Sequence, residues 1–132
     1  MPSNACGFWR SWGSVATPYT LLEAVRLRGT LQVAALEQSL QEIVRRHEVL
    51  RTTFAHVEGL PCQVIRPPMP FPLPVIELRE GSEPEREALL HALVRAEAQR
   101  PFDLLQGPLI RATLVRLAAA EHVLLLCMHH IL

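Results

Sequence analysis

Six consecutive apolar residues, Val123-Leu124-Leu125-Leu126-Cys127-Met128, constrain the fold of this chain more than any other feature. The run has strand length and falls far short of the roughly 18 residues that a membrane-spanning helix needs. Successive strand side chains point to opposite faces, so a strand that is apolar at every position belongs at the centre of a sheet covered on both sides. Residues 109–117 form a second apolar-rich strand. The short turn over residues 118–121 makes the two a hairpin.

Upstream, Glu23, Val25 and Leu27 alternate with Ala24, Arg26 and Arg28, the pattern of a half-buried strand that Gly29 ends. Over residues 32–46, Val33, Leu36, Leu40, Ile43 and Val44 share one helical face, while Glu37, Gln41 and Arg45 lie on the other. Residues 50–57 and 60–65 read as strands joined at Glu58-Gly59. Prolines 67, 68, 70, 72 and 74 forbid a helix and favour a stiff extended connection, with a proline-recognition ligand as the minor alternative. A short strand follows at residues 75–78. Ser82 and Glu85 form a capping box with Pro84 in the first turn. The helix that they open carries Leu89, Leu93 and Ala96, flanked by Ala92, as its apolar stripe. It stops at Arg100, before Pro101. Residues 1–18 show no periodicity. These elements give an α/β fold, a two-layer sandwich with a mixed β-sheet.

Composition excludes several function classes. Thirteen basic residues balance thirteen acidic ones, so there is no electrostatic case for nucleic acid or an anionic membrane as partner. The N-terminus has no long apolar run and does not read as a signal peptide. Cys6, Cys62 and Cys127 are odd in number and widely spaced, against a disulfide framework or zinc site and in favour of a reduced, cytoplasmic setting. Cys127 reads as a small core residue.

His129-His130 closes the last strand. Taken alone, the pair fits two scaffold histidines, one catalytic histidine, or less well a metal site that lacks a third ligand. Adjacent strand residues face opposite ways, so one of the two is expected at any given cleft. Arg46 and His47, with Arg45, complement the negative end of the first helix. Arg51 opens a strand of uncharged residues, and if buried it calls for an anionic partner. His56, His91 and His122 read as surface or satisfied scaffold residues. Asp103 reads as a turn residue bonded to nearby amides.

Four blocks together resemble condensation domains of nonribosomal peptide synthetases. RHEVLRTTF (residues 46–54) resembles the family's second signature, and GTLQVAALEQSL (residues 29–40) its first helix. PFDLLQGPLIRATL (residues 101–114) and EHVLLLCMHHIL (residues 121–132) resemble the approach to its HHxxxDG signature. NACGFWRSWGSV (residues 4–15) keeps a tryptophan of the first signature but not its pattern. Leu132 falls before the Asp and Gly of HHxxxDG.

The resemblance implies a chloramphenicol acetyltransferase-like lobe. Residues 19–132 are then a partial condensation domain, its N-terminal lobe, incomplete at the C-terminus, after a poorly defined segment over residues 1–18. It implies amide formation between an acceptor amine and a donor thioester, both carried on phosphopantetheine arms of partner carrier proteins, with no cofactor or metal held by this chain and with adjoining synthetase domains as further partners. It matches His130 to the functional histidine and His129 to a supporting one, and it leaves Arg51 without its aspartate. The expected state is a fragment inactive alone that exposes apolar surface. The alternatives are a non-catalytic carrier-docking module and a related CoA- or carrier-dependent acyltransferase.

Overall fold

The computed structural model describes residues 8–16, as backbone alone, and residues 20–131; Cys6 and Leu132 lie outside the described residues. The chain runs β1 (Phe8–Ala16), β2 (Thr20–Arg28), α1 (Val33–Arg46), a 3-10 turn (Glu48–Arg51), β3 (Thr52–Val57), β4 (Leu60–Ile65), β5 (Val75–Glu77), α2 (Glu83–Gln99), β6 (Ile110–Ala118) and β7 (Glu121–His129). Five strands form one sheet in the order β1-β2-β7-β6-β5, while β3 and β4 form a separate hairpin. Among the described strands only β5 runs parallel to its neighbour, β6, so the sheet is mixed, as expected. β1 lies in the segment where the sequence shows no periodicity. Its backbone pairs with β2 along its length, with a register shift between Ser11 and Gly13.

β7 sits between β2 and β6, the central position that its composition demands. Val123, Leu125 and Cys127 pack with Leu22, Ala24, Val115 and Leu117 beneath Leu90, Val94 and Ala98 of α2. That pairing of sheet and helix is the expected sandwich. The other sheet face carries Leu27, Ile110, Ala112, Leu114 and Leu124, which pack with Val44 of α1 and with Phe71 and Leu73. A second cover of α1 and the proline-rich connection therefore lies on that side. Phe71 and Leu73 are buried between exposed prolines. Leu73 N–H donates to the Glu37 carboxylate (3.0 Å), which ties the connection to α1.

This double cover corrects two expectations. β2 is not half-buried: Ala24 is fully buried, and Arg26 lies under α2, paired with Glu87 (2.8 Å) and Glu121 (2.6 Å). The apolar stripe of α2 is also rotated from the expected one. Leu90, Val94 and Ala98 are buried, whereas Leu89 is 51% exposed and Ala92 and Ala96 face solvent. α2 is alanine- and leucine-rich on several faces, so periodicity alone does not fix its phase. Ion pairs from the sheet do: Arg26 holds Glu87 near the start of α2, and Arg111 holds Glu97 near its end (2.8 Å). The Ser82–Glu85 capping box forms as expected.

The β3–β4 turn takes positive φ at Glu58 (53°) and Gly59 (79°), the twist that a two-residue hairpin favours. Val57, Leu60 and Ile65 on the hairpin and Met69 beyond it are exposed.

Candidate functional site

β7 delivers the two histidines to the end of the sheet beside the C-terminus of α2. His129 is the last paired residue: it lies opposite Thr20 of β2, and its N–H donates to the Leu109 carbonyl (3.0 Å). His130 lies one residue beyond the strand, in a turn, with its side chain exposed. A depression of about 890 Å³ opens here, bordered by Thr20, residues 98–102, Leu104 and residues 129–131. Both histidines border it, contrary to the expectation of one, because pairing stops at His129 and the alternation of a strand no longer governs His130.

The two rings sit in different surroundings. His129 is half-buried, edge-on to Phe102 (centroids 5.9 Å apart, planes at 85°). Its Nδ1 accepts from the Ile131 N–H (3.0 Å). Burial first, and then the neighbouring His130, hold the His129 imidazole below its ordinary pKa. Of the two rings, His129 is the packed one and His130 the exposed one. Among the described residues no group of three potential metal ligands occurs, and no helix is long and apolar enough to cross a membrane.

The other sequence candidates lie elsewhere. Arg46 pairs with Glu42 (2.7 Å), as does Arg45 (2.6 Å); bonds from Arg45 and then Arg46 lower the Glu42 pKa to about 2. The exposed His47 caps α1 through its backbone N–H, which donates to the Ile43 carbonyl. Arg51 is only partly buried and has no carboxylate partner among the described residues. Its guanidinium donates instead to the carbonyls of Val44 (3.2 Å), Arg45 (3.2 Å) and Arg66. The first two belong to the last turn of α1, where carbonyls lack helical partners, so Arg51 acts as a side-chain cap. Arg51 borders a second depression of about 560 Å³ that does not include the histidines.

Asp103 fills its expected turn role, with its carboxylate accepting from the amides of Leu105 (2.9 Å) and Gln106 (3.2 Å). The turn packs on the hairpin: Phe54 N–H donates to the Leu104 carbonyl (2.7 Å), and Arg66 bridges Thr53 and the Leu105 carbonyl. Gly107 must be glycine here, since its φ is +65° and an added Cβ would come within 2.7 Å of Thr53 Cγ2. Cys127 is buried, and burial pushes its thiol pKa up, the mark of an inert core residue. His122 departs from the satisfied reading: it is 1% exposed, accepts from Arg116 Nε (3.1 Å), and buries Nδ1 without a partner among the described residues.

Residues 15–132 match the model of the family described as "Condensation domain". The chain belongs to that family. A linear gramicidin synthase of Brevibacillus parabrevis is 51% identical over 117 residues, covering 89% of this chain and 2% of that protein. The starter condensation domain of rhizomide synthetase RzmA superposes with a TM-score of 0.75 at 28% identity, covering 86% of this chain and 27% of that one. The X-domain from teicoplanin biosynthesis gives 0.73 at 36% identity, covering 86% of this chain and 24% of that one. This condensation-domain chain therefore spans about a quarter of the solved chains it resembles and a few per cent of its curated relatives.

Phe102 borders the histidine depression, and Arg111 and Glu97 lie behind it, joined to it through the Phe102 ring, although residue type and spacing do not single them out. One signal points to them: Arg111 is a charge in an otherwise uncharged half of β6, and a half-buried arginine requires acceptors.

Proposed function

We propose that this chain supplies the histidine-bearing lobe of a condensation domain that joins two carrier-bound substrates through an amide bond. The acceptor's amine nitrogen attacks the donor thioester carbonyl, a C–N bond forms, the C–S bond breaks, and the thiolate takes up the proton released by nitrogen. His130 is the residue for this proton: it orients or deprotonates the amine and supports the tetrahedral intermediate. The observation that carries the reading is an exposed imidazole one residue past the end of a central strand, beside a depression, in a chain of this family. His129 supports it as a packed neighbour. The substrates ride on phosphopantetheine arms of carrier proteins, and further synthetase domains adjoin the lobe. Alone, the chain is inactive, because one wall of a site neither excludes water nor holds two tethered substrates at once.

The test is a chimaera in which residues 15–132 replace the matched stretch of the gramicidin synthase relative's condensation domain. Mass spectrometry of the acceptor carrier should find the joined product, and His130→Ala should slow its formation by about 10²–10⁴-fold. Product formation that His130→Ala leaves untouched would refute the assignment.

A second reading is a docking module without chemistry. It is favoured by the likeness to the teicoplanin X-domain, a protein whose complex with OxyB has been solved. Capture of a carrier or tailoring protein by the wild-type and His130→Ala chains alike, with no product in the chimaera, would support it.

A further inference from the structure

Arg111 occupies an unusual position for a strand residue. Its side chain is 14% exposed and that of its partner, Glu97, 16%. Nε donates to Glu97 Oε1 (2.8 Å), Nη1 to the Pro101 carbonyl (3.2 Å), and Nη2 to the carbonyls of Glu97 (3.2 Å) and Arg100 (3.1 Å). One planar group thus gathers the end of α2 and the two residues after it. The next residue is Phe102, and the guanidinium carbon lies 3.9 Å from its ring centroid. Shielding from water strengthens the attraction between such a cation and a ring face. Phe102 in turn meets His129 edge-on. The contacts form a continuous path from Glu97 through Arg111 and Phe102 to His129.

We infer that Arg111 and Phe102 are positioning residues for the histidine tip, holding the His129 ring where its Nδ1 accepts the Ile131 amide and so fixing the turn that carries His130. The Ile131-to-His129 hydrogen bond spans His130, so the orientation of one ring and the path of the backbone through His130 are coupled. A neutral imidazole that accepts at Nδ1 carries its proton at Nε2, so the path selects one tautomer as well as one rotamer. The importance of the tip rests on the proposed role of His130; the path itself does not.

Long-range proton–nitrogen NMR of the 15N-labelled 132-residue chain, at a pH where His129 is neutral, reads the tautomer directly. The wild-type chain should show His129 as the Nε2–H form alone. Arg111→Met and Phe102→Leu should each give a mixture of the two tautomers, with faster exchange of the Ile131 amide. Arg111→Lys keeps the charge but not the planar fork and should also fail, whereas Phe102→Tyr should retain the wild-type signature. A mixture in the wild-type chain overturns the inference. So does an unchanged tautomer in folded Phe102→Leu, even if Arg111→Met does not fold. The readout involves no substrate: an unchanged tautomer beside a slowed His130→Ala chimaera defeats this inference alone, and the converse pair of results defeats the proposed function alone.

Discussion

Replacing Leu90 or Leu89 by alanine separates two phases of α2 that the sequence does not distinguish. Leu90 is fully buried between α2 and the sheet, packed with Leu22, Ala24, Val123 and Leu125. Truncation removes a complete core side chain and leaves a cavity walled by the sheet, which relaxes little. Leu-to-Ala changes at such sites cost about 2–5 kcal/mol, and the absence of exposure puts Leu90→Ala in the upper half of that range, about 3–4 kcal/mol. Leu89 is 51% exposed, and alanine is the better helix former, so Leu89→Ala should change stability by no more than about 0.5–1 kcal/mol. Urea unfolding followed by circular dichroism measures both. With slopes of about 1–3 kcal/mol/M, the Leu90 variant should lose on the order of 1–4 M in midpoint while the Leu89 variant stays close to wild type. Equal losses, or a larger loss at Leu89, would refute the phase assigned to α2 and with it the α2 face of the core.

Other consequences are as direct. Ser82→Ala removes the hydroxyl that accepts from the Glu85 N–H and leaves only the backbone half of the capping box; it should cost about 0.5–2 kcal/mol by the same unfolding assay. Arg51→Met leaves the Val44 and Arg45 carbonyls without their donor; a loss of about 1–3 kcal/mol is expected, with faster hydrogen exchange where α1 meets β3. Burial and then the Arg116 cation depress the His122 pKa. The unfolded chain therefore takes up this proton more readily, so stability is fully present above about pH 6.5 and falls as the pH drops toward the depressed folded value. Urea midpoints between about pH 7.5 and 5.5 should decline in the wild-type chain and decline less in His122→Gln.

Much of the fold was legible in the sequence. The apolar run at residues 123–128 required a central strand with both faces covered, and both covers are present. Both helices, the β3–β4 turn and the capping box followed from local chemistry. The phase of α2 did not, because Leu89, Leu90, Leu93 and Val94 offer more than one stripe and only Glu87 and Glu97, held from the sheet, decide between them. β1 was missed because its sequence does not alternate; its backbone pairing with β2 defines it. At the site, the histidine pair stood out by residue type, but its shared border with one depression depends on where strand pairing ends. The charge of Arg51 stands out in its strand and suggests an anionic partner, whereas its acceptors are helix-end carbonyls that no sequence pattern names. The path through Arg111 and Phe102 joins residues of three separate segments, and only the fold brings them together.

The role of His130 is tested most directly by single-turnover kinetics of the chimaeric condensation domain with pre-loaded donor and acceptor carriers. His130→Ala should slow amide formation by about 10²–10⁴-fold, the usual contribution of a positioned acid–base group, with carrier loading and binding unchanged. A condensation step that proceeds at the wild-type rate without that imidazole would contradict the account.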